Sequence, residues 1–314
     1  MTMLPPGGQH ATTTILVGGH ESANGADLLP LLKTLPSALV SRPGRALHDA
    51  VVTELAAGGS VVAVLPMTWG RDPGMVADTA KTLRWLAGGA GAGRLTLCAD
   101  FGTQDHLVAW LRRAAIETAR DRPGAGLLLA AAAANPFDDA DLHRVAHLVR
   151  AHGAGVPVEP ACLSDAADLA SAVQRARLLG SDEVIVVPAG FAQSAPPTAL
   201  PAERVSFFGP LLSPQSIVDV VRRRTREARH DLTHGDDGIA AGLLADHGHG
   251  YAHPHAREGE VGHAHPHPQA PHSHSHPPTV AEPATTGRAA AARAEPRHRE
   301  GRGPSPTEHL SSPH

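Results

Sequence analysis

Cysteine, aromatic residues, long apolar runs and excess positive charge are all scarce in this sequence, and each scarcity removes a class of function. The 314 residues include two cysteines, Cys98 and Cys162, far apart and outside any CxxC pair, so neither a disulfide framework nor a cysteine-ligated zinc site has support. Aromatics make up 3% and charged residues 18% of the chain beside 42% hydrophobic residues, which suits one or two packed domains plus an unpacked remainder. The longest purely apolar stretch, residues 127–134, falls far short of the ~20 residues of a membrane span. Residues 1–14 lack a basic region followed by an apolar core, so no secretory signal is expected; the expectation is a cytoplasmic protein without a membrane partner. Up to Arg229 the chain carries 21 basic and 21 acidic residues, and with no basic domain nucleic acid is not an expected partner. No GxGxxG, Walker A or GxSxG sequence occurs, which leaves other small-molecule chemistries on an α/β sheet without support.

Histidine is what the chain has in excess. Of 22 histidines, seven precede residue 230 and fifteen lie from His230 onward. The segment 230–314 holds seven Leu, Ile, Val or Phe residues among Pro, Gly, Ala and His, too little apolar area to offset the entropy of ordering it, and is expected to be a disordered tail. Within it, His247, His249, His253, His255, His263, His265, His267, His272, His274 and His276 recur at alternating positions. In a flexible chain this spacing lets neighbouring imidazoles meet around one ion, a set suited to cobalt, nickel, copper or zinc. The alternative is a solubilising low-complexity tail.

Periodicity divides the remainder into strands and helices in alternation. Residues 13–17 and 60–66 read as buried strands, 45–57 and 75–86 as amphipathic helices, 94–98 as a short strand and 105–118 as a helix. After the turn at Asp121 to Gly124 the order recurs: strands at 126–131, 156–161, 183–188 and 205–208, with helices at 140–152, 165–179 and 214–228. Ser60 to Met67 resembles Glu183 to Ala189, and Phe101-Gly102 matches Phe208-Gly209, which points to an internal duplication. The fold class expected is α/β, with two tandem three-layer, flavodoxin-like units on parallel sheets at 12–122 and 123–229, followed by the tail.

The sharpest local feature is Leu16-Val17-Gly18-Gly19-His20-Glu21-Ser22. A strand ending in glycines sets His20 at the carboxyl edge of a parallel sheet, where such folds bind ligands, and a neutral imidazole there can ligate a divalent metal or accept a proton. The bland alternative is a loop histidine that caps a helix or meets solvent. His143 and His147, four apart on one helix, have a spacing that can bind metal but is commonplace on polar faces.

The Gly-His loop, the tandem halves with Val-rich strands ending in proline, and the His-rich segment together resemble the class II chelatases of the CbiX and SirB type over residues 12–228. That resemblance implies insertion of a divalent metal, cobalt foremost and iron or nickel otherwise, into a sirohydrochlorin-like tetrapyrrole, with no organic cofactor. It assigns His20 as metal ligand or base, with Glu21 as an adjacent base and Ser22 kept from the family's G-H-G-S loop, where Glu21 replaces glycine. Where the family has a second histidine, Met67 to Pro73 has Arg71, which cannot ligate but could pair with a tetrapyrrole carboxylate. The second half lacks histidine at both corresponding loops and is expected to be structural or substrate-covering. An alternative is a non-catalytic protein that stores or delivers cobalt or nickel on a degenerate chelatase fold.

Overall fold

The run Thr12–Gly18 forms strand β1, buried from Thr14 onward, and its uninterrupted apolar character follows from being covered on both faces. The computed structural model describes residues 12–58, 61–152, 155–195 and 203–245; every tail histidine named above lies outside them. After β1 come an irregular helical segment, His20–Lys33, then β2 (Ala38–Ser41), α1 (Arg45–Ala57), β3 (Val61–Met67), α2 (Pro73–Ala87), β4 (Leu95–Leu97) and α3 (Gln104–Asp121). Next are β5 (Ala125–Ala132), α4 (Pro136–His152), β6 (Val158–Leu163), α5 (Ala166–Leu178), β7 (Glu183–Pro188), β8 (Val205–Phe207), α6 (Pro214–Thr233) and α7 (Ile239–Leu243). The strands form two four-stranded parallel sheets, ordered β2-β1-β3-β4 and β6-β5-β7-β8. β1 and β5 are central, each paired along its length with β3 or β7. The expected α/β class with parallel sheets flanked by helices is what the chain adopts.

Alternation along each central strand decides what packs where. Ile15 and Val17 of β1 face α1 and α2, in a core with Val62, Val64, Leu47, Val51 and Leu83. Leu128 of β5 and Val184 and Val186 of β7 face α5. The opposite faces, through Leu16, Ala63 and Leu65 of the first sheet and Leu127, Leu129, Ile185 and Val187 of the second, belong to one continuous interior. Helices α3, α4 and α6 fill it. Their seating is exchanged between the halves: α3 packs on β5 and α4, while α6 packs on β3 and β4.

One expectation is corrected. The packed chain does not stop at Arg229, because α6 continues to Thr233 and α7 follows. Leu97 N–H donates to Asp237 O at 2.8 Å, Thr96 Oγ1 lies 3.2 Å from the same carbonyl, and Ile239 is buried against the α1/α2 side of the first sheet. Gly238, at φ +70°, crosses so close over Leu97 that a Cβ there would strike the Leu97 carbonyl. The apolar count in 230–314 was low only as an average; four of its seven Leu, Ile, Val or Phe residues fall at 232–244, where they can still reach the sheet edge.

A chain cut after Arg229 is therefore expected to be less stable than one cut after Ala245. Exposing the Ile239 site and freeing the β4 edge should cost about 2–4 kcal/mol in denaturant unfolding. Equal midpoints for the two would exclude a stabilising role for 230–245.

Candidate metal centre

His20 leaves β1 through two glycines whose lack of a side chain is required by what approaches them. A Cβ on Gly18 would strike the Gly25 backbone, and one on Gly19 would strike the Asp72 carboxylate. The loop returns over β1 through Ala23, Asn24 and Gly25, all in the left-handed region at φ +48°, +54° and +93°. Two of these are not glycine, so the turn is strained, as turns around functional groups often are.

Asp72 caps the N-terminus of α2, accepting from Met75 N–H with Oδ1 at 3.1 Å, while Oδ2 accepts the His20 backbone N–H at 3.1 Å. Asp138 occupies the first turn of α4, whose start is set by Asn135: its Oδ1 accepts from Phe137 and Asp138 N–H groups, and its Nδ2 donates to Asp138 Oδ2 at 2.7 Å. Both carboxylates thus sit at helix N-termini. His20 Nε2 lies 3.7 Å from Asp72 Oδ2 and 3.4 Å from Asp138 Oδ2. The three side chains offer ligand atoms within 4.8 Å of one another, with both aspartates buried. Separations of 3.4–3.7 Å suit neighbouring ligands on a tetrahedral ion with bonds of about 2.1 Å.

Without a metal, protons hold this cluster together. His20 Nε2 donates to Arg71 O at 2.9 Å. Burial alone would lower the imidazole pKa, but the hydrogen bond to Asp138 and the charges of Asp72 and Glu21 outweigh it, so the net shift is upward from 6.5. His20 Nδ1 is buried without a partner. A cation at Nε2 would replace a proton in a site that already compensates positive charge.

Arg71, expected as a contact for a substrate carboxylate, is fully buried and turned to main-chain oxygens. Its guanidinium donates to Ala189 O and Asp138 O, both at 3.3 Å, tying the loop after β3 to two elements of the second half. Ser22 is also fully buried, its hydroxyl donating to Gly19 O at 3.3 Å, so it shapes the loop rather than meeting substrate. Glu21 is 4% exposed and its carboxylate points inward, accepting from Thr68 Oγ1 and from Trp69 N–H at 3.0 Å. Burial pushes its carboxyl pKa up. Phe191 N–H donates to Glu21 O at 2.9 Å, and Gly190 passes so close that a Cβ there would strike the same oxygen. His143 and His147 are exposed on α4, away from this cluster.

The second half, expected to be structural or substrate-covering, contributes Asp138 to this cluster. The sequence signal was there in Asn135-Pro136-Phe137-Asp138, a capping residue, a proline at the first helical position and an acid two residues on. Asp72-Pro73 repeats the pattern of cap and proline at the start of α2. A search of the second half for histidine alone passes over both. Asp100, beyond β4, is a further titratable group: burial and the charge of Glu21 push its carboxyl up to about 7, with Arg224 pulling the other way.

Beside His20 a cavity of about 260 Å³ opens over the second sheet, lined by Ala130, Leu163, Val186, Pro188 and Phe207, with Asp27 also on its lining. Among the described residues no helix is long and apolar enough to cross a membrane. No family model matches the chain, and no curated protein matches it.

Two outcomes are expected of metal titration. Co(II) binding to the purified chain should weaken at least about tenfold in Asp138→Asn and in His20→Gln, measured on protein cut after Ala245 so that the later histidines do not compete. Because protonated His20 excludes the cation, affinity should fall as pH drops through the raised His20 pKa, so the loss begins above 6.5. An affinity independent of pH between 6 and 8 would remove His20 from the ligand set.

Proposed function

We propose that this chain is a divalent-metal chelatase of the class II type, each half a flavodoxin-like unit of a duplicated fold, that passes Co(II), Fe(II) or Ni(II) to a tetrapyrrole. The observation that carries the proposal is the buried His20–Asp72–Asp138 cluster, with ligands from both halves. One imidazole with two carboxylates is an intermediate-to-hard donor set, favouring such ions over Cu(I). The same strand order, 2-1-3-4, in both sheets supports the duplicated unit.

Insertion exchanges one M²⁺ for two protons from the macrocycle's pyrrole nitrogens. As the ion leaves, His20 regains a basic nitrogen whose pKa is raised by Asp138 and Asp72, so the group that releases the metal is ready to take up a proton. A carboxylate of the pair, or Asp100 with its pKa of about 7, can take the second. The apolar cavity over Val186 and Phe207 would receive one edge of the ring, with the metal site at its rim.

A second reading, metal storage or delivery without insertion, is favoured by the size of that cavity. At about 260 Å³ it lies below the roughly 300–1,000 Å³ of pockets that enclose drug-sized ligands. A macrocycle would have to lie partly across its mouth. The His-rich segment would serve either reading as a metal reservoir.

The discriminating assay mixes protein, sirohydrochlorin and Co(II) under anaerobic conditions and follows the visible spectrum. Chelatase activity predicts insertion faster than with metal alone, reduced at least about a hundredfold in His20→Ala. Tight Co(II) binding with no acceleration would leave the delivery reading, and a His20→Ala variant as fast as wild type would remove the site.

A further inference from the structure

Helix α6 carries five arginines between residues 222 and 229, and its carboxylates are shared unevenly among them. Glu227 lies 3.9 Å from Arg223 and 3.3 Å from Arg224. Arg222, Arg226 and Arg229 recur at i, i+4 and i+7 along another face. Arg222 meets Asp219 at 3.9 Å, and among the described residues Arg226 and Arg229 have no carboxylate partner. Arg226 Nε instead donates to Arg222 O and Arg229 Nη1 to Thr12 Oγ1, both at 3.3 Å.

That face lines a cavity of about 580 Å³, closed opposite by Thr12 and Thr14 of β1 and by residues 34–37. Its volume is ordinary for a small-molecule site. Hydroxyls of Thr12, Thr14 and Thr225 line it; Thr14 and Thr225 Oγ1 atoms lie 3.3 Å apart, and whichever accepts from the other keeps its own proton for a ligand. Asp219 is the one carboxylate against three guanidinium groups. The three span about 10 Å along the helix, so a ligand that satisfied them would carry more than one anionic group. The cavity flanks the amino end of β1, and the length of that strand, roughly 20 Å, separates it from His20.

We propose that this cavity binds a small polyanion, a molecule bearing two or more phosphoryl or carboxylate groups, at a site separate from the metal centre. Guanidinium forks and hydroxyl donors are the groups that bind such oxygens, and the three exposed arginines line the open side of the cavity, where an anion can reach them. The recognition requires neither bound metal nor the tetrapyrrole.

Isothermal titration of the full chain tests it, with metal removed by chelating resin and at pH 8, where surface histidines are neutral. The probes are inorganic triphosphate and tricarballylate. At least one is expected to bind with a 1:1 stoichiometry that weakens with added salt, and the tighter of the two identifies the anionic group. Arg226→Gln with Arg229→Gln should weaken it by about a hundredfold, roughly tenfold per arginine, with Co(II) affinity unchanged. Arg223→Gln, on the Glu227 side, should leave it within about twofold. Absence of binding by both probes, binding indifferent to the double substitution, or equal loss in Arg223→Gln would each overturn the proposal.

Discussion

A buried guanidinium holds the centre of this molecule together. Arg71 sits with no exposed surface between the loop after β3 and the second half, donating to the carbonyls of Ala189 and Asp138. A charge so placed is tolerable because Glu21, itself buried, and the His20 cluster lie around it, and because main-chain oxygens take its protons. Removing it would strand both carbonyls and a buried carboxylate. It also sets the distance between Asp72, its neighbour in sequence, and Asp138, whose carbonyl it holds. The residue that cannot ligate a metal thus brings together two carboxylates of the cluster proposed to hold one.

Aromatic packing reinforces the same junction. Trp69 and Phe101 come from the first half and Phe191 from the second, their ring centroids 5.0–5.7 Å apart. Gly102 presses against the Trp69 ring where a Cβ would not fit, so the tryptophan is held edge to Phe101 and stacked on Phe191. With few aromatics in the chain, the placing of three of them here concentrates rigid contact where the halves must not slide.

Most strands were legible in the sequence because a strand covered on both faces reads as an unbroken apolar run, as at Thr13 to Val17 and Glu183 to Pro188. β2 was not: four residues with Leu39 exposed carry no period, and the strand exists because β1 pairs with it from Thr14 to Val17. The segment His20–Lys33 was illegible too, since its shape depends on glycines meeting residues far along the chain. His20 stood out because strand ends in parallel sheets are where ligands bind. Its partners did not, because acids at helix starts usually serve local backbone needs: Asp72 caps α2, and Asp138 accepts from the side chain of Asn135, the cap of α4. Only the folded chain brings the two carboxylates to His20. Arg71, Ser22 and Glu21 are buried, a property that a loop sequence of polar residues conceals.

The exchanged seating of α3 and α6 has a consequence for how such a chain can be made. A half synthesised alone would carry a terminal helix with nowhere of its own to dock, and a sheet face left bare where the other half's helix belongs. Two separate copies could satisfy each other only by trading helices, at a rate set by their concentration. Joining them in one polypeptide makes that trade intramolecular, replacing dilution with a tether of a few residues between α3 and β5. Within one polypeptide the two docking surfaces need only fit each other, so the sequences on either side of the tether are free to differ.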